Sequence, residues 1–177
     1  MKSERLGVIT MKRHAAALWI IIVFLSFLVP AYAQMPGYAE LTKLLIDLDG
    51  WEAEEATGMN MSGPMGDMVD AVREYEKDGQ TISAQIIVGG AAQGTWAPFS
   101  TGYTIETPEV LAKSLEESGY HIGINHDKQE NTGGVVVLLN TKSTTGVFVL
   151  SYEKMDYQEA LNLAKKFSWS AMEQAIE

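Results

Sequence analysis

Residues 69–88 constrain this chain more tightly than any other stretch. Ile82, Ala84, Ile86 and Val88 fall on one side of an extended segment, with Ser83 and Gln85 on the other. That period of two is the pattern of a half-buried strand. Residues 69–77 precede it as a second extended run, and Asp78-Gly79 between them supplies the two-residue turn that suits the twist of a hairpin. A β-hairpin with one oily face cannot stand alone in water, so a larger antiparallel sheet must be built around it.

The flanking sequence supplies the other elements. Leu41, Leu44, Leu45 and Leu48 recur at helical spacing and predict a helix over 38–48, stopped at Gly50. A short strand is expected over 51–57. Residues 89–103 have no regular period and contain several glycines and Pro98, which predicts a long loop. Thr107 as N-cap, Pro108 at the first helical position and Gly119 as terminator predict a second helix, with Val110, Leu111, Ser114 and Leu115 on its inner stripe. Strands are expected over 120–126, 135–140 and 147–152. Asp156 and Glu159 form a capping box for a last helix, whose buried side runs through Tyr157, Ala160, Leu161, Ala164, Phe167, Ala171 and Met172 to about residue 174. The expected order is α-β-β-β-α-β-β-β-α. This describes an α+β fold, a mainly antiparallel sheet with helices packed on it, in one domain over 34–177.

The N-terminus carries an export signal. Lys12 and Arg13 are followed by an apolar run over 15–29, Pro30, and the small residues Ala31 and Ala33 that signal peptidase accepts, which predicts cleavage before Gln34. The run is shorter than the ~20 residues that cross a bilayer, so no membrane span is expected after cleavage. The expected location is the periplasm or the external medium. The chain contains no cysteine, so stability must come from packing and not from disulfides. Residues 34–177 hold 9 basic and 22 acidic side chains. Such a surface repels nucleic acid, which is not an expected partner.

Three features in order resemble a group of exported bacterial proteins: a leading helix ending in Gly50-Trp51, then Ala71, Arg73 and Tyr75 running into the alternating strand 81–88, then the Gly-rich strand pair 133–140 and 146–152 before a capped terminal helix. The element order is also similar to the PsbP-like and Mog1-like α/β/α sandwiches, which include small periplasmic proteins of the DcrB type. The resemblance implies a fold and a non-catalytic role, and assigns no active-site residues.

Candidate chemistry is sparse. Met59, Met61, Met65 and Met68 lie within ten residues, in a Gly/Pro segment unsuited to a helix. Thioether sulfur is soft and uncharged, which suits Cu(I), while methionine is also an adaptable packing residue. Met59 and Met61 share a face if that segment is extended. Trp96, Phe99 and Tyr103 place three large aromatics in the 89–103 segment, either as a lid tucked into the core or as the rim of a ligand or partner site. Arg73 shares a face with Val69, Ala71 and Tyr75, which predicts a half-buried charge paired with an acid, or alternatively an anion-binding group. His121 and His126 fall on opposite faces of one strand and are expected at the surface or in a turn. No nucleophile motif is present, and no catalytic residue stands out. The expected function is therefore a soluble, non-catalytic domain that binds an envelope protein or a small ligand. Periplasmic copper handling through the methionines is the alternative, and a carboxylate-based hydrolase a further one.

Overall fold

The computed structural model describes residues 35–64, 66–141 and 144–177. The export signal read from residues 11–34 lies outside the described residues, as does Met65. Among the described residues, no helix is long and apolar enough to cross a membrane.

Two antiparallel ribbons join into one nine-stranded sheet. The first comprises β1 (Glu52–Ala53), β2 (Thr57–Gly63), β3 (Gly66–Lys77) and β4 (Gln80–Gly89); the second comprises β5 (Thr104–Glu106), β6 (Val110–Glu117), β7 (Tyr120–Asp127), β8 (Thr132–Asn140) and β9 (Thr145–Glu153). The order across the sheet is β1-β3-β4-β9-β8-β7-β6-β5, with β2 also paired to β3. Every pairing is antiparallel. The hairpin at 69–88 forms as the sequence predicts: Asp78 and Gly79 both take positive φ, 51° and 77°, the geometry of a primed turn.

Helices cover one face. They are α1 (Tyr38–Leu41, continued by a 3-10 turn Thr42–Leu44), α3 (Tyr157–Ala164) and α4 (Trp169–Ile176). Beneath them, row after row of the register brings apolar side chains together, as in Ala71–Ile86–Phe148–Val137–Ile122, all buried. On the opposite face the chain crosses from β4, near the middle of the sheet, to β5 at its far edge. This crossover contains α2 (Gly90–Trp96) and a 3-10 turn, Ala97–Phe99. Ala92 and Phe99 bury Val136 and Val147 there. Burial from both sides explains why the central strand β8 reads as a continuous apolar run and not as an alternation.

The sequence expectation needs correction in four places. The segment expected to be a helix after Thr107 forms strand β6 (Val110–Glu117). Thr107 Oγ1 does accept the amides of Glu109 and Val110 (3.2 and 3.0 Å), but it closes a turn, and Ser118 (φ 55°) with Gly119 (φ 83°) makes a second primed hairpin turn. The alternation is masked by Lys113, which lies between Leu111 and Leu115 and places its ammonium 4.5 Å from the Tyr157 ring centre. The middle helix lies instead in the 89–103 segment expected to be a loop, because small residues such as Ala92 let a helix approach the sheet closely. The terminal helix is two helices: Asp156 caps the first through the Gln158 amide (2.8 Å), and Ser168 Oγ caps the second through the Ala171 amide (3.3 Å). The leading helix ends at Leu44 after one α-turn and a 3-10 turn, and residues 45–48 have no regular structure, while Leu45 and Leu48 remain buried.

Arg73 holds that leading segment to β3. Its Nη1 donates to the Leu45 carbonyl (2.7 Å), its Nε to the Glu54 carbonyl (2.8 Å) and its Nη2 to Asp47 (2.5 Å). The neighbouring Tyr75 hydroxyl donates to the Ile46 carbonyl at 2.8 Å. Burial pushes the Tyr75 phenol up to about 12, against the opposing pull of the Arg73 charge. The Arg73 side chain is 16% exposed and that of Asp47 88%. The carbonyl bonds therefore outweigh the ion pair. Arg73→Met is expected to destabilise the fold by about 2–3 kcal/mol, and Asp47→Asn by less than about 1 kcal/mol, in urea melts.

Candidate functional site

Among the described residues, helices α1, α3 and α4 leave the other face of the sheet to the crossover alone. Alternation along the strands assigns the residues of that face, and the register joins them into rows. One row reads Glu74–Ser83–Ser151–Gly134–Asn125–Ala112–Ile105, and the row beside it begins Glu52–Glu76–Thr81–Glu153. Across β1, β3, β4 and β9 these rows are polar and acidic. A third row, Val72–Gln85–Val149–Val136–Gly123–Ser114, is mostly apolar and leads under the crossover.

Phe99 anchors the crossover over this third row. A Cβ on Gly123 would overlap the Cγ and Cδ atoms of Phe99, so the ring lies directly on bare backbone of β7. Trp96 packs beside it with ring centres 5.8 Å apart. Two hydrogen bonds hold the outgoing chain: Ser114 Oγ donates to the Phe99 carbonyl (2.9 Å) and the Ser114 amide to the Tyr103 carbonyl (3.2 Å). Phe99 is buried, Trp96 half-buried and Tyr103 39% exposed. Of the three aromatics, Phe99 is thus a buried anchor with Trp96 packed against it, while Tyr103 stays partly exposed.

The anchored crossover leaves an open groove of about 730 Å³ on its acidic side. Pro98, Phe99 and Tyr103 form one wall; Ser83, Asn125, Gly134 and Ser151 lie in the floor; Glu74 and Glu153 stand on the far side. Ser83 Oγ donates to Glu74 Oε1 at 2.7 Å, which fixes that carboxylate toward the floor. None of the residues lining the groove is basic. A smaller recess of about 550 Å³ opens on the other side of Phe99, beside Trp96, Glu116 and His121.

Arg73 does not join this site. It lies on the helix-covered face, with its donors committed to the leading segment; of the expected ligand-binding set, Phe99 and Tyr103 line the groove, while Trp96 lines the recess on the other side of Phe99. The histidines do face opposite ways, but His126 is not at the surface. It is 5% exposed, packed between the Tyr152 and Tyr157 rings, with Nδ1 3.1 Å from the Tyr152 hydroxyl. Burial also drives the Tyr152 phenol far above its ordinary value.

The methionine segment is the β2–β3 hairpin. Met61 pairs directly across from Met68, and Met59 across from Asp70. Alternation puts these side chains on the same face as the groove, at the β2 edge of the sheet. Asn60 points the other way, accepting the Tyr38 amide at 2.9 Å. Among the described residues, no group of three His, Cys, Asp or Glu side chains is placed to hold a metal.

Sequence reasoning missed the floor of the groove. Ser83, Asn125, Gly134 and Ser151 come from four strands, and only the register brings them together. Gly123 gave no sign of its role, because the ring that needs it lies 24 residues away in the chain. No family model matches the chain, and no curated protein or solved structure matches it significantly.

The Gly123 contact gives a direct check. Gly123→Ala displaces the Phe99 ring and is expected to cost about 1–3 kcal/mol in thermal or urea melts. The loss should shrink in a Phe99→Leu background, where the smaller side chain gives way.

Proposed function

We propose that this chain is an exported, non-catalytic binding domain that works in the cell envelope or the external medium after losing residues 1–33. Its ligand is a small molecule with a cationic head and an apolar body, held in the groove of the open sheet face. One observation carries this reading: the groove has an aromatic wall at Phe99 and Tyr103, carboxylates at Glu74 and Glu153 opposite, and no basic side chain in its lining. An ammonium group would meet the carboxylates while its apolar part lies along the aromatic wall. The groove volume falls within the range of small-ligand sites. The acidic excess of residues 34–177 would also draw a cation toward the protein.

Octylammonium and octanoate share a body and differ in the sign of the head, so together they test the reading. Octylammonium is expected to shift the amide resonances of Ser83, Asn125, Gly134 and Ser151, with octanoate leaving them in place. Tyr103→Ala and Glu153→Gln should each weaken the response by about 3–10-fold, as for loss of one partly exposed contact. Equal responses to the two probes, or shifts confined to another surface, would refute the groove. Edman sequencing of the protein recovered from its native cells should begin at Gln34, and an intact N-terminus in the cytosol would refute export.

A further inference from the structure

We propose that Met59, Met61 and Met68 form a binding site for a soft monovalent cation, Cu(I), on the exposed face of the β2–β3 hairpin. The site is separate from the groove and does not depend on what the groove binds. Its geometry follows from the register. Met61 and Met68 are direct cross-strand partners, and Met59 lies two residues along the same strand. Direct partners on a sheet face have Cβ atoms about 5 Å apart, and diagonal partners about 7–8 Å or somewhat less. Unbranched methionine side chains bridge those separations readily, so three sulfurs can meet at one point above the ribbon.

The local chemistry favours a soft ion over plain packing. Met59 and Met61 are 50% and 52% exposed, so half of each side chain is in water and not filling a core. Edge strands ordinarily carry charges that discourage association, yet the seven residues of β2 (Thr-Gly-Met-Asn-Met-Ser-Gly) include none. What the strand presents on this face is thioether sulfur, which does not titrate and which selects Cu(I) among the ions of biology. Asp70 stands directly across from Met59 on the same face, and its Oδ1 accepts from Gln85 Nε2 at 2.8 Å. A fixed carboxylate there balances the single positive charge of the ion. Asn60 and Gly58 face the opposite side, where Asn60 is tied to α1, so the ribbon has only one orientation in which to present its sulfurs.

Competition for Cu(I) against bicinchoninate, under ascorbate, is the test. The purified protein is expected to withdraw one equivalent of Cu(I), and Met61→Leu to weaken binding by about 10-fold or more, the scale on which coordination shells respond to single changes. The Met59→Leu, Met61→Leu, Met68→Leu triple variant, which keeps the apolar area and removes the sulfur, should lose the uptake. Ag(I), a redox-silent stand-in, applied to the unmodified protein should shift the Met59, Met61 and Met68 methyl resonances and leave those of buried Met155 and Met172 in place. That spectrum decides the matter without any variant having to fold. Failure to compete, undiminished affinity in the triple variant, or methyl shifts at other methionines would each overturn the proposal.

Discussion

The contact between the Phe99 ring and the bare backbone of Gly123 determines what the open face of the sheet can be. The chain leaves β4 in the middle of the sheet and must re-enter at the far edge. Some segment therefore has to cross the face that α1, α3 and α4 do not cover. With a side chain at residue 123, the ring could not sit this close to β7. With the ring seated, the crossover is held at one fixed height, and the space beside it becomes a groove instead of a collapsed loop.

The two faces of the sheet consequently carry different tasks. The helix-covered face contains nearly all of the main core, from Leu41 to Ile176, and Arg73, a charged side chain on that face, is spent on tying down the leading segment. His126 belongs to that side too, as a packed and hydrogen-bonded ring. The open face holds the apolar patch under α2, the acidic rows ending at Glu74 and Glu153, and the methionine ribbon at the β2 edge. The packed core and the open polar face are thus separated by the pleat, since successive side chains of one strand point to opposite sides.

The fold was legible wherever a period was strong. The β3–β4 hairpin could be read because the buried residues of β4 alternate without interruption and Asp78-Gly79 demands a tight turn. Strand β6 could not, because Lys113 occupies a core-facing position, and because Thr107-Pro108 and Gly119 are turn residues as much as helix boundaries. Helix α2 escaped notice since its glycines argue for a loop, while its stability comes from the sheet below it and not from propensity. The break between α3 and α4 was present in the sequence as Ser168, an N-cap lying inside a pattern that otherwise continues. The candidate site was legible in part. The aromatics and the methionines stood out by composition, and extension of the methionine segment put Met59 and Met61 on one face. The groove floor is a product of register, which no local pattern encodes.

An NOE spectrum with selectively labelled phenylalanine measures the central contact directly. The account predicts strong cross-peaks from the Phe99 ring protons to the Gly123 Hα atoms and the Val136 methyls. A Phe99 ring with no cross-peak to Gly123, averaged as an exposed side chain would be, would contradict the seated crossover and remove the groove built upon it.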